Sequence, residues 1–323
     1  MPYNLGIRKR HRLPCRVVSV GNLTFGGTGK SPAVRAICEK LLERGIRPAV
    51  LSRGHGGRLS AVGAIVSDGV TRRLEAVDSG DEPAALADVL PGVPVAIGKD
   101  RRRIGRLLAE MFRPDIIVLD DGMQYWQLHR DVEIVLVDAC RPFGTGRLLP
   151  AGNLREPIKG IQRADAIVMT GMEAAEECAP ALRDLAPSLK FEIRNPKCRG
   201  VFLARRSPRA VIDTGTGERL PVSCLSGLPI VAVSGIANPA SFEVMLAGLG
   251  ADIKQAVQFG DHCPYSKRHL QIIEAALDKT GAEAVVTTAK DAAKFRLAEK
   301  TYVLDIELVI ENIDRLVDIV VGV

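Results

Sequence analysis

A chain of 323 residues, 46% hydrophobic and 25% charged, is long enough for two domains with separate cores and lacks the compositional bias of a disordered protein. Its 44 Lys and Arg against 38 Asp and Glu leave a net charge of +6, which favours an anionic partner. Aromatic residues make up only 4%, too few for base-stacking platforms, so no nucleic-acid partner is expected.

The chain opens with Arg8-Lys9-Arg10-His11-Arg12, a basic cluster unopposed by any acid. It suits a solvated face and the headgroups of anionic lipid equally well. Met1–Arg12 lacks the apolar middle of a signal peptide, and no apolar run is long enough to span a bilayer. Seven cysteines are scattered with no C-x-x-C pair, which points to a reducing compartment with neither a disulfide frame nor a zinc site. A cytoplasmic location is expected.

Arg16 to Val20 is an apolar β-branched run that breaks into Gly21-Asn22-Leu23-Thr24-Phe25-Gly26-Gly27-Thr28-Gly29-Lys30-Ser31, and Pro32 to Leu42 then reads as a helix. Strand, glycine loop and helix in this order make a phosphate loop over residues 24 to 31. Glycines at 26, 27 and 29 allow successive N–H groups to converge on a phosphate at the positive end of the helix. Lys30 would then meet the β and γ phosphates of a nucleotide, and the Ser31 hydroxyl would ligate Mg²⁺. Thr24 stands where the general consensus has glycine.

Val34, Ile37, Cys38, Leu41 and Leu42 share one helical face, Gly45 ends the helix, and Ala49 to Ser52 forms the next strand, completing a βαβ unit. Arg53-Gly54-His55-Gly56-Gly57 is then a flexible cationic loop at the carboxyl edge of the sheet, where ligands bind in open α/β folds. Asp78-Ser79-Gly80-Asp81-Glu82-Pro83 precedes a helical run from Ala84 to Leu90, and acids there serve in the first instance as caps. A strand at Val93–Ile97 and a basic helix from about Arg101 to Met111 lead to the apolar strand Ile116–Leu119 and to Asp120-Asp121-Gly122. Adjacent carboxylates at the end of a buried strand supply the hard oxygens that Mg²⁺ on a phosphate requires, so Asp120 and Asp121 are candidate metal residues.

A strand at Val132–Asp138 precedes a stretch from Pro142 to Pro157 that is long for a connection inside a compact domain, which argues for a functional loop with Arg147 and Arg155 toward an anion. Ala166 to Met169 closes the first sheet. Short strand pieces at Gly200–Ala204 and Arg209–Ile212, around Arg205-Arg206-Ser207-Pro208 and the turn Thr214-Gly215-Thr216-Gly217, read as a hairpin linker. A second α/β unit follows, with strands near 230–235, 253–259, 284–287 and 302–304 and helices near 242–249, 270–277 and at the end. The expected division is 1–196, a linker over 197–225, and 226–323.

Taken together, these stretches resemble the tetraacyldisaccharide 4′-kinase family. The resemblance is carried by Val20-Gly21-Asn22-Leu23-Thr24 through Gly29-Lys30-Ser31, Ser52 to Gly57, Gly80-Asp81-Glu82-Pro83, Asp120-Asp121-Gly122-Met123-Gln124, Pro150-Ala151-Gly152, Leu154-Arg155-Glu156-Pro157, Asp261-His262 and Thr288 with Lys290-Asp291. It covers nearly the whole chain from residue 13, and the threonine at 24 is also similar to the family.

The resemblance implies a P-loop α/β/α sandwich domain joined by a β-hairpin linker to a smaller α/β/α domain. It implies ATP and Mg²⁺ as cofactors and transfer of the γ-phosphoryl group to the 4′-hydroxyl of an acylated glucosamine disaccharide 1-phosphate, giving the 1,4′-bisphosphate of lipid A biosynthesis. Membrane surface contact at the inner face of the inner membrane goes with that substrate. By the same resemblance Asp81 is the base on the sugar hydroxyl, His262 its partner and Lys30 the phosphate lysine, while Asp120 and Asp121 serve Mg²⁺. Family members usually carry an apolar N-terminal helix, and this chain begins too late to include it; either the start lies upstream, or Arg8 to Arg12 and other surface do the docking. Tyr125 and Ala289 also depart from the family, which commonly has histidine and glutamate there.

Two other classes fit parts of the pattern. A P-loop switch or metal-delivery GTPase would carry an Asn-Lys-x-Asp guanine reader late in the first domain, and none is found. A kinase of a small soluble metabolite satisfies the motifs but leaves the basic start of the chain unexplained.

Overall fold

The computed structural model describes residues 9–171, 197–236, 238–261, 263–295, 297 and 300–323. They fall into two compact units, one formed by Met1–Arg206 with Leu308–Val323 and the other by Ser207–Glu307.

In the first unit, β1 (Arg16–Asn22) leads through the glycine loop into α1 (Lys30–Glu43) and β2 (Pro48–Ser52). There follow β3 (Ala64–Ser67), α2 (Ala76–Ser79), α3 (Asp81–Val89), β4 (Val95–Ile97), α4 (Arg101–Phe112), β5 (Ile116–Asp120), β6 (Val132–Asp138) and β7 (Ala166–Thr170). The sheet order is β7-β6-β1-β5-β2-β4-β3, parallel except for β3 against β4. Val20 lies opposite Asp120 in this register, so the glycine loop and the acid pair emerge at the same carboxyl edge.

Both sheet faces are covered, as an all-parallel core requires, and the strands read as apolar runs without alternation. Val18, Val20, Val50 and Val118 pack with Val34, Ile37 and Leu41 of α1. Val17, Leu51, Ile117 and Leu119 pack with Ile104 and Leu108 of α4. Gly105 lets the helix lie close there: a Cβ on it would lie 2.6 Å from the tip of the Leu13 side chain, which would have to turn aside.

The last helix, Ile313–Val321, differs from its expected place in the second domain. It buries Leu316, Val317, Ile319 and Val320 in the cluster that holds α1, and Arg44 pairs with Asp314 at 2.8 Å and Asp318 at 2.6 Å. Its apolar stripe finds its partner in the first unit, so the unit boundaries fall after residues 206 and 307 and not at 196 and 225.

The two strand pieces expected in the linker are one strand, β8 (Val201–Asp213). Pro208 lies between the residues paired to β7, which end at Leu203, and those paired to Arg219–Leu220, which begin at Val211, so on that edge it removes no donor from either pairing. A hairpin does form around Thr214–Gly217, between Val211-Ile212 and Arg219-Leu220.

In the second unit the strand Pro229–Ser234 is flanked by Asp252–Gln258 and Ala284–Thr288, and the latter pairs with Thr301–Leu304, all parallel. Helices Pro239–Gly248 and Lys267–Thr280 pack on it through Phe242 and Leu246 on one face and Ile273 and Leu277 on the other. Cys15, Cys38, Cys198, Cys224 and Cys263 are free thiols, whereas Cys140 is disulfide-bonded, contrary to the expectation from the dispersed spacing. Spacing along a chain does not report what the fold brings to one thiol.

Candidate functional site

The glycine loop has the backbone that its sequence calls for. Gly26 and Gly29 take φ of +119° and +83°, and Gly29 is the residue from which α1 starts, at Lys30 and so two residues earlier than the sequence suggests. A Cβ on Gly26 would meet nothing within 4 Å, so its requirement is conformational, not steric. The loop is braced from beneath by buried Asn22, whose Nδ2 donates to the Thr24 carbonyl at 2.8 Å and whose Oδ1 accepts from Lys30 Nζ at 3.2 Å. Thr170 Oγ1 donates to the Thr28 carbonyl at 3.1 Å, and Arg206 donates to the Gly27 carbonyl at 3.2 Å.

Thr24 departs from the general consensus because its backbone is extended and bridges antiparallel to Leu154. That contact belongs to a seam: Phe25 N–H donates to the Asn153 carbonyl at 2.7 Å and Arg155 N–H to the Leu23 carbonyl at 2.8 Å. The long connection from 142 to 157 is thereby laced to the phosphate loop. The Arg155 guanidinium sits 4.6 Å from the centre of the exposed Phe25 ring, within cation–π range.

Asp120, at the end of β5, is fully buried. Its Oδ2 accepts from Ser52 Oγ at 3.2 Å, and its Oδ1 has no hydrogen-bond partner among the described residues. Burial, with Glu82 and Asp121 nearby, pushes its carboxyl up to about 7, against the pull of Lys30 and Arg101. Asp121 follows in the left-handed region at φ +53°, and both its carboxylate oxygens accept from Arg155 Nη1, at 2.6 and 2.8 Å. Lys30 Nζ lies 3.9 Å from Asp121. Burial alone would raise this carboxyl, but Lys30, Arg155 and Arg101 hold it below the usual carboxylate range.

Asp81 is the first residue of α3 and partly buried, so the helix begins within the acidic turn and not after it. Gly80 makes this possible at φ +91°; a Cβ on it would lie 2.5 Å from the His55 carbonyl oxygen, and one on Gly57 would lie 2.5 Å from the Ser79 carbonyl carbon. The Arg53–Gly57 loop and the Asp78–Pro83 turn are therefore packed backbone to backbone. This seats the start of α3 at the carboxyl edge, near enough for Glu82 to act on Asp120.

Of the sequence-derived site residues, the structure brings Lys30, Asp120 and Asp121 together at one end of the loop. His262 lies outside the described residues, as does Arg8 of the basic cluster. In the second unit, Asp261 pairs with Lys290 at 2.6 Å, and buried Asp291 accepts from Thr288 Oγ1 and the Gly235 N–H, each at 2.8 Å.

Sequence reasoning missed the groups that lock the acids in place. Buried Arg101 donates to the Asp121 carbonyl at 3.0 Å. Gln124 Nε2 donates to the Asn22 carbonyl at 3.0 Å and to Glu156 at 2.9 Å, and Arg163 meets the same Glu156 oxygen at 2.8 Å. Tyr125, one of the departures from the family, accepts from the Arg101 N–H at 3.1 Å and donates to Asp100 at 3.3 Å. The available signal was the Leu154-Arg155-Glu156-Pro157 stretch ending an overlong loop.

The donor set suits Mg²⁺ on a nucleotide. No group of three or more His, Cys, Asp or Glu side chains is poised to hold a metal by itself among the described residues. Mg²⁺ asks less of a protein, taking one or two carboxylates along with substrate phosphates and water, and Asp120 Oδ1, Asp121 and Ser31 offer hard oxygens of that kind.

The profile of the family described as tetraacyldisaccharide-1-P 4′-kinase matches residues 1–321. The tetraacyldisaccharide 4′-kinase of Geobacter metallireducens is 44% identical over 294 residues, 91% of this chain and 82% of that protein. The one from Syntrophus aciditrophicus is 40% identical, covering 92% and 80%. Among solved structures, LpxK from Aquifex aeolicus in complex with ATP superposes with a TM-score of 0.80 at 32% identity, covering 99% of this chain and 91% of that one.

Proposed function

Because the chain belongs to the tetraacyldisaccharide-1-P 4′-kinase family and is a kinase of lipid A biosynthesis, we propose that its glycine loop, Lys30 and the Asp120–Asp121 pair form the centre that transfers a phosphoryl group from ATP to the disaccharide 4′-hydroxyl. The observation that carries this reading is the convergence of Lys30 and Asp121, 3.9 Å apart, where a glycine loop with two left-handed residues meets the start of α1. A switch or metal-delivery GTPase is not favoured by the family match.

Phosphoryl transfer asks a protein mainly for positioning and for charge opposite the phosphoryl oxygens. Residues 24 to 31 turn backbone N–H groups toward the nucleotide phosphates, with Gly26 and Gly29 supplying the curvature. Lys30, held by Asn22, places its ammonium against the terminal phosphates. Asp120, Asp121 and the Ser31 hydroxyl would hold Mg²⁺, which when bound would supply positive charge to offset that of the phosphoryl oxygens. Arg155 keeps Asp121 ionised and in place for that duty.

A sugar hydroxyl is a weak nucleophile and needs a base as the new P–O bond forms. Asp81 takes that proton in this reading, seated at the head of α3 by the Gly80 turn. His262 is its proposed partner on the strength of the family resemblance alone.

The substrate is an acylated disaccharide 1-phosphate, and contact with the inner face of the inner membrane follows from its lipid nature. No helix among the described residues is long and apolar enough to cross a membrane. Exposed Lys9 and Arg12 are suited to rest on anionic headgroups, worth about 1 kcal/mol per basic residue close to such a surface.

The test is a radiolabelled-ATP assay on detergent-dispersed tetraacyldisaccharide 1-phosphate. Label is expected in the lipid product with wild type and absent with Lys30→Ala. Undiminished product from the Lys30 variant would overturn the reading.

A further inference from the structure

Arg130 lies outside the glycine loop, the acid pair and the long connection, yet it is only 8% exposed. Its Nη1 donates to the carbonyls of Tyr125 at 2.9 Å, Met123 at 3.2 Å and Gly122 at 3.3 Å. Its Nη2 pairs with Glu133 at 3.0 Å, and Glu133, 4% exposed, also accepts from Ser19 Oγ at 2.9 Å. A buried ion pair of this kind is an expensive way to fill space, since hydrocarbon of the same volume often serves stability as well or better. Something other than packing recommends a guanidinium here.

The carbonyls it gathers belong to neither strand nor helix. They form the turn directly after Asp120–Asp121, and Asp121 is held at φ +53°, a region that non-glycine residues rarely occupy without support. From one side Arg155 holds the Asp121 carboxylate and Arg101 its carbonyl. From the other, Arg130 ties down the three residues whose path determines where that carboxylate points. On the strand side, Glu133 of β6 and Ser19 of β1 fix the guanidinium in turn.

We propose that Arg130 is a positioning residue for the kinase reaction: its planar fork closes the Gly122–Tyr125 turn and thereby keeps the Asp120–Asp121 carboxylates set beside Lys30 for a metal–nucleotide complex. This rests on the metal reading of those carboxylates. Lysine offers one nitrogen where the guanidinium offers two, so an ammonium drawn to Glu133 leaves the carbonyls that Nη1 holds.

The test uses the full chain and reads binding apart from turnover. Mn²⁺ binding with ADP is followed by paramagnetic resonance, and metal-free ADP binding by the emission of Trp126, the single tryptophan, whose ring centre lies 5.6 Å from the Arg130 guanidinium. Arg130→Lys is expected to weaken Mn²⁺–ADP binding about tenfold or more and to leave metal-free ADP affinity within about twofold, an effect of the size of a misplaced carboxylate ligand's supporting contact. Glu133→Gln, which leaves the carbonyl bonds in place, is expected to lower Tm and leave Mn²⁺–ADP binding within about threefold on the same scale.

Should the lysine variant not fold, Arg130→Met combined with Glu133→Gln leaves no unpaired buried charge and is expected to fold while showing the same metal defect. Wild-type Mn²⁺–ADP binding in a folded Arg130 variant would overturn the assignment. Asp121→Asn separates the two ideas: unchanged Mn²⁺ binding there overturns the metal reading, whereas loss there with wild-type binding in the Arg130 variants overturns only the positioning role.

Discussion

Arg155 spans both carboxylate oxygens of Asp121 with one nitrogen, at 2.6 and 2.8 Å, while its guanidinium lies 4.6 Å from the Phe25 ring centre. One side chain from the long connection thus joins the acid pair to the phosphate loop. Arg155→Met keeps the stem and removes the charge, and it is expected to cut kcat by about 100-fold or more, the scale seen when a preorganised charge at a reacting centre is lost. Steady-state kinetics with varied Mg²⁺ would check it; a variant within threefold of wild type would refute the role.

Phe25 bears on the same guanidinium from the exposed side. Phe25→Leu should raise KM for ATP a few-fold with a smaller change in kcat, as expected from losing a contact worth about 0.5–1 kcal/mol. Phe25→Tyr should restore both. Equal parameters in Leu and Tyr variants would show that the ring does nothing that an aliphatic side chain does not.

Asp81→Asn is expected to retain ATP binding and lose turnover by about 100-fold to 10,000-fold, the usual worth of a positioned general base. Calorimetric titration of ATP against single-turnover rates makes the comparison. Turnover at the wild-type rate would remove Asp81 from the base role.

Thr24→Gly restores the general phosphate-loop consensus and is expected to harm this protein. The extended backbone opposite Leu154 has no need of glycine's freedom, and the change adds unfolded-state entropy worth about 0.4–1 kcal/mol. A lower Tm with no gain in ATP affinity is the expected result, and a gain in either quantity would contradict it.

The buried Asp120 carboxyl makes the ligand-free protein sensitive to pH in an unusual direction. Its folded pKa of about 7 lies above its ordinary value, so between about pH 4 and 7 the unfolded chain has lost a proton that the folded chain keeps. Stability from this group is therefore fully present at and below the ordinary carboxylate pKa and is lost as pH rises through about 7. Asp120→Asn should flatten that part of the profile, and parallel denaturant titrations at pH 5 and 8 would show it. Identical pH slopes in the two proteins would rule it out.

Much of the loop and of the acid pair was legible in the sequence because each is a local signal: glycines at fixed spacing after an apolar strand, and carboxylates at the end of another. Lys30 and Asp120 needed only their neighbours to be understood, whereas Thr24 is explained by Leu154, 130 residues further on. What brings Arg155 to Asp121 is a seam of backbone hydrogen bonds between two loops, and nothing in the spacing of either loop announces it. Arg130 reads in the sequence as one more basic residue near the surface, because its partners are main-chain carbonyls common to every residue. The last helix was legible as a helix, but an apolar stripe does not name the surface that will cover it. Its place on α1 follows from the path of the strand Thr301–Ile310 before it, whose end already belongs to the first unit.

That return of the chain imposes an order on biosynthesis. Leu316, Val317 and Val320 help to close the core beneath the nucleotide loop, so the first unit to leave the ribosome cannot be finished until residues 308–323 have been made. While residues 207–307 are still being synthesised, the α1 surface awaiting that helix stays bare, and it is during this interval that a nascent-chain chaperone would find the most to hold.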